Sequence, residues 1–175
     1  MKGIALVAAF EIASRIALAQ GAAELAGGGD WIISETTSPV NYTPMVTATT
    51  SSSVGSGSPM QLSIYCRGGR TEMVVTGPAI SGSGADYVLS YGLNDGQLVQ
   101  VAAGPPLFGT GAAFKGDVAR LLLSLPDEGG MAIRLSTPQG AAYDGRFSLK
   151  GLKAARDRVA TACKWPNAMS GARRE

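Results

Sequence analysis

Few side chains in this sequence have the chemistry to act on a substrate. Two acids facing each other across a cleft can hydrolyse a glycosidic bond, one as general acid and the other as base or nucleophile. The acids that could serve are Asp86, Asp95, Asp117, Asp127, Glu128 and Asp144. Local context accounts for most of them. Asp95 lies in Asn94-Asp95-Gly96, a turn sequence; Asp127-Glu128 precede Gly129-Gly130, a second turn; Asp117 stands where a helix begins. Asp86 and Asp144 read as exposed strand positions. The chain has no histidine, which excludes Ser-His-Asp and Cys-His nucleophilic pairs and any zinc site built on imidazole. Its two cysteines cannot complete a thiolate zinc site. Neither a Gly-x-Ser-x-Gly elbow, a Ser-x-x-Lys pair, a Walker loop nor a Gly-x-Gly-x-x-Gly fingerprint occurs. The expectation is therefore no catalytic residue, no metal ligand, no cofactor, and a protein that is not an enzyme.

Cys66 and Cys163 carry the remaining chemistry, and whether they pair depends on the compartment. Met1-Lys2 is a short positive start, Gly3 to Phe10 an apolar run, and Ala17-Leu18-Ala19 a small-x-small cleavage pattern. That layout marks residues 1–19 as a secretory signal peptide and the protein as periplasmic or secreted. The competing reading is an amphipathic helix with Glu11 and Arg15 one turn apart. The run is far shorter than the ~20 apolar residues that span a bilayer, so no stable membrane insertion is expected. In an exported chain two cysteines imply a Cys66–Cys163 disulfide; the alternative is two buried thiols.

The elements that must position these residues are mostly strands. Charged residues make up 16% of the chain, against about 25% in typical domains, and there are 24 glycines. Leu62, Ile64 and Cys66 alternate with polar neighbours, as strand residues do, and Gly68-Gly69 leads into Met73-Val74-Val75, giving a hairpin of residues 61–67 and 71–76. Tyr87, Leu89, Tyr91 and Leu93 alternate into the Asn94-Asp95-Gly96 turn and on to Leu98–Val101. A short helix is expected from Asp117 to Leu125, and strands around Met131–Leu135 and Tyr143–Leu149. The helix at 150–163 carries Leu152, Ala155, Val159 and Cys163 on one stripe, which would bring Cys163 to the sheet. Thr47–Ser53 reads as a polar edge strand open to another chain. The fold class is thus mainly β (α+β): an antiparallel β-sandwich or open barrel of about seven strands, with a mid-chain helix and a C-terminal helix packed on the sheet. The domain layout is residues 20–29 as a flexible leader remnant, 30–166 as one disulfide-stapled domain, and 167–175 as a frayed basic tail.

Residues 150–175 hold seven Lys or Arg against two acids, yet neither half is basic enough for a nucleic-acid binder. A solvated helix face accounts for that tail. The Thr/Ser run offers hydroxyls that a sugar could also meet, and Asn41-Tyr42-Thr43 is formally a glycosylation sequon. Trp31, Ser38-Pro39, Leu62-Ser-Ile-Tyr-Cys66-Arg67, Thr71-Glu72 and the closing Phe147-Ser-Leu-Lys-Gly-Leu152, Ala154-Ala155, Val159 and Cys163-Lys-Trp165 together resemble the VasI-like periplasmic proteins associated with type VI secretion. That resemblance implies a non-enzymatic accessory protein whose partner is another protein, with no catalytic residues to carry over. The alternative function is a small binding module, either an inhibitor of a cell-wall enzyme or a barrel for an apolar ligand. The sequence leaves the oligomeric state open.

Overall fold

Alternation along the strands sorts this chain into two sheets and one core. The computed structural model describes residues 23–26, 30–53, 59–77, 80 and 87–166. Residues 1–19, expected as a signal peptide, residues 167–175, expected as a tail, and Asp86 lie outside the described residues. Among the described residues eleven strands and two helices follow in order: β1 (Ala23–Ala26), β2 (Ile32–Thr37), β3 (Pro44–Ser51), β4 (Gln61–Arg67), β5 (Arg70–Thr76), β6 (Val88–Leu93), β7 (Val99–Val101), β8 (Ala103–Gly104), β9 (Ala112–Phe114), α1 (Val118–Ser124), β10 (Gly130–Ser136), β11 (Ala142–Ser148) and α2 (Leu152–Ala162). The larger sheet has the order β1-β2-β3-β4-β5-β9-β8 and the smaller β11-β10-β6-β7, with every pairing antiparallel. The mainly β sandwich with two helices is as expected. The strands beyond the expected seven are β1, β8 and β9, of two to four residues and too short for a readable periodicity, and β2, whose Ser34–Thr37 half is polar throughout.

The β4–β5 hairpin shows how sequence sets register. Gly68 and Gly69 both adopt positive φ, the conformation a two-residue primed turn requires and a side chain resists. Arg67 then faces Arg70, Ile64 faces Met73 and Leu62 faces Val75, so these apolar residues share one buried face with Cys66. Leu89, Ile133, Leu135 and Phe147 of the smaller sheet and Leu152, Ala155 and Val159 of α2 complete the same core. Each Val, Leu, Ile, Met or Phe among them contributes about 1.5–3 kcal/mol on leaving water. Tyr91 of β6 meets Phe114 of β9 edge to face, which ties the two sheets together. At the other end the Trp31 indole N–H donates to the Ser148 carbonyl at 3.1 Å.

Two expectations are corrected. Thr47–Ser53 is not an edge: β3 lies between β2 and β4, with Thr49 opposite Ile32 on one side and Ser63 on the other. Its Thr and Ser content misled because outward positions of a central strand can be as polar as an edge when that face of the sheet meets water. Within residues 20–29, expected as a flexible remnant, Ala23–Ala26 instead forms β1 along β2.

α1 begins at Asp117, whose carboxylate accepts the Arg120 backbone N–H at 2.9 Å. Its C-terminal carbonyls are held by α2. The Arg156 guanidinium donates to the Leu122 and Leu125 carbonyls at 3.2 and 3.1 Å and pairs with Asp127. Among the described residues, no helix is long and apolar enough to cross a membrane.

Candidate functional site

Beyond the Val74–Ala113 pair β5 and β9 no longer pair with each other, and a groove of about 480 Å³ opens there. Its walls come from elements already fixed by the core: β5, the start of α1, and the residues after α2. Trp165 forms part of one wall, buried, its indole N–H donating to Thr71 Oγ1 at 2.6 Å. Cys163, bonded to Cys66 with 5.6 Å between their Cα atoms, holds that wall on the sheet. The predicted pairing of a strand cysteine with a helix cysteine is what the structure contains.

Over the groove runs the segment 105–110, and a buried carboxylate anchors it. Glu72 alternates onto the face of β5 opposite Met73 and is 8% exposed. Both its oxygens lie within reach of the Leu107 backbone N–H, at 2.9 and 3.2 Å. A carboxylate withdrawn from water is costly unless hydrogen-bonded, so this contact fixes the segment as much as it satisfies the acid. The Lys115 ammonium donates to the Pro105 carbonyl at 2.7 Å, a second tie. At the segment's end Gly111 has φ +122°, and a Cβ there would lie 2.4 Å from the Val75 carbonyl oxygen, so the chain approaches β5 as only glycine permits. With its backbone tied down, the segment presents Leu107 and Phe108 to solvent, 52% and 55% exposed. The Arg67 guanidinium sits 4.2 Å from the Phe108 ring centroid, a cation–π contact that orients the ring.

The acids considered for chemistry are dispersed. Asp144 makes a two-pronged pair with Arg134 across β10 and β11, at 2.6 and 3.0 Å, in the open. The hydrogen bond and charge of Asp144 raise the Arg134 guanidinium above its ordinary pKa. Asp95, in the left-handed pair Asn94-Asp95 of the β6–β7 turn, pairs with Arg146. Asp127 pairs with Arg156, Asp117 caps α1, and Glu128 is exposed. Of the five that lie among the described residues, only Asp117 lines the groove. Glu72 was not among them: it sits beside Met73-Val74-Val75 in an ordinary strand pattern, and nothing local shows that residue 107 returns to it. Among the described residues no three metal-ligating side chains converge. The sequon lies in the β2–β3 turn, where Thr43 Oγ1 donates to Asn41 Oδ1 at 2.8 Å.

Fold and groove together define a disulfide-linked β-sandwich with one anchored, apolar surface loop. Compared with known proteins, the chain matches no family model, no curated protein and no solved structure.

Proposed function

We propose that this chain is an exported, non-enzymatic accessory protein that acts by gripping another protein, in the periplasm or outside the cell. The observation that carries this reading is the 105–110 segment, whose backbone is held by Glu72 and Lys115 while Leu107 and Phe108 face water. An apolar pair held in place before binding has less ordering cost to overcome when a partner covers it. The Cys66–Cys163 disulfide supports a location outside the reducing cytosol. The acids, engaged with cations or backbone N–H groups or lying in turns, support a surface role over a chemical one. The resemblance to VasI-like proteins is what suggests a partner beside a secretion apparatus.

A second reading, an inhibitor of a cell-wall enzyme, would use the same loop. A barrel for an apolar ligand has less support, because Leu62, Ile64, Met73, Leu89 and Phe147 fill the space between the layers. The test is a photo-crosslinking amino acid placed at Phe108 in the producing cell, with one at the still more exposed Val40 as control. A discrete protein adduct from position 108 and none from position 40 is expected. If both positions give the same adducts, or neither gives any, the docking reading fails. Inhibited turnover of a captured hydrolase would select the inhibitor form.

A further inference from the structure

The charges of this domain are not evenly matched, and four of the six cations without a carboxylate partner among the described residues gather at one end. Arg134, Arg146, Lys153, Arg156 and Arg158 each have a carboxylate partner within 4 Å. Arg67, Arg70, Lys115, Arg120, Lys150 and Lys164 have none among the described residues. Arg70, Lys115 and Lys164 line the groove described above, and Arg67 lies over Phe108 at its lip. The two carboxylates in the groove, Glu72 and Asp117, are bonded to the backbone N–H groups of Leu107 and Arg120. Four cations against two engaged acids leave a positive field focused by the groove walls.

We infer that the groove takes an acidic segment of the protein partner, an extended stretch with two or more carboxylates and one large apolar side chain. The inference rests on the docking reading above and names the chemistry the partner brings to it. Its carboxylates would meet Arg70, Lys115 and Lys164, and its apolar side chain would cover Leu107 and Phe108. A volume of about 480 Å³ lies within the range of sites that enclose a small ligand, which suits a few residues of peptide and not a folded surface. The occupant is a peptide and not a nucleic acid or an anionic membrane for two reasons. Glu72 and Asp117 repel a uniform row of phosphates, and four clustered cations are not the long basic stripe that tracks a polyanion. An apolar lip also has no role toward a phosphate backbone.

The experiment uses the disulfide-intact full chain and a fluorescein-labelled decapeptide containing four Glu, one Leu and one Phe. Its counterpart carries Gln in place of each Glu. Binding is followed by anisotropy at low and high salt. The Glu peptide is expected to bind at least tenfold tighter than the Gln peptide, and more weakly as salt rises. The double variant Arg70→Glu, Lys164→Asp turns four-against-two into two-against-four, and should lose at least tenfold in affinity with an unchanged melting temperature. Lys150→Glu, an exposed cation off the groove, should bind as the parent does. Equal binding of the two peptides, equal weakening by Lys150→Glu, or a thymidine decanucleotide or a phosphatidylglycerol vesicle binding as tightly as the Glu peptide would each overturn the inference. Crosslinking from Phe108 separates the two readings. If the adduct persists undiminished in the double variant, the acidic segment is wrong and the docking loop stands. If the Glu peptide binds the parent but position 108 yields no adduct, the groove stands and the docking loop falls.

Discussion

Replacing Cys66 and Cys163 together by Ala tests how the only covalent cross-link of the domain acts. The bridge closes a separation of 97 residues. In the chain-entropy description, a loop of that length restricts the unfolded chain by about 4.7 kcal/mol at 25 °C. Both sulfurs are buried, so their removal adds a small void and about 1 kcal/mol more. In the folded state the helix should stay docked: Leu152, Ala155 and Val159 remain in the core, and Arg156 still holds the Leu122 and Leu125 carbonyls. At about 2–4 °C per kcal/mol for a domain of this size, the melting temperature should fall by about 10–20 °C. The assay is thermal unfolding followed by circular dichroism, with the reduced parent protein as a second route to the same state. Native-state emission of Trp165 is the discriminating readout, since its indole is buried against Thr71. A loss below about 4 °C would refute the magnitude. A native spectrum shifted toward that of a water-exposed indole would refute the mechanism, because the bridge would then be holding the helix in place and not restricting the unfolded chain.

Two adjacent substitutions in β3 should act in opposite directions. Thr49→Pro places proline in a strand paired on both sides, removing a ladder hydrogen bond, and should abolish folding or cost several kcal/mol; a folded variant with parental melting would show that β3 is not interior. The Thr50 hydroxyl is buried without a hydrogen-bond partner, so the isosteric Thr50→Val should raise stability by about 1 kcal/mol in urea unfolding, and a loss would mean that the hydroxyl has a partner. Glu72→Ala leaves the Leu107 N–H without its acceptor, and amide exchange at Leu107 should accelerate at least tenfold while the core amides of β4 keep their rates; unchanged exchange would show that Glu72 does not anchor the loop.

What the sequence disclosed depended on how far apart the interacting residues lie. The β4–β5 hairpin was legible because a Gly-Gly pair and alternation act over a dozen residues. The last helix and its cysteine were legible because the apolar stripe repeats with the helical period. Asp117 as a cap and Asn94-Asp95 as a turn were equally local. The place of β3 in the sheet was not, since the chain that covers its second edge comes from β2 and no polarity pattern distinguishes the two cases. The groove was the least legible part. Glu72 and Leu107 are 35 residues apart, and Thr71 and Trp165 are 94 apart. Only the order β5-β9-β8 and the disulfide bring those segments to one end of the sandwich.

Asp144 and Glu72 show why exposure is a poor guide to which acid matters here. Asp144 and Arg134 form the better geometry, two short contacts between planar groups, but both are open to water. An ion pair so exposed contributes little to stability and is screened by salt. Glu72 has one N–H donor for both oxygens and lies almost wholly out of water, a placement that a leucine or methionine would occupy at less cost. The domain therefore gains little stability from having an acid at this position. What the acid does supply is direction: a carboxylate there fixes the Leu107 backbone, and through it the attitude of Leu107 and Phe108 over a groove lined by Arg70, Lys115 and Lys164. An apolar residue at position 72 would keep the sandwich and free the loop. A costly residue whose clearest effect is to orient an exposed apolar pair is physical support for a role of that pair in recognition.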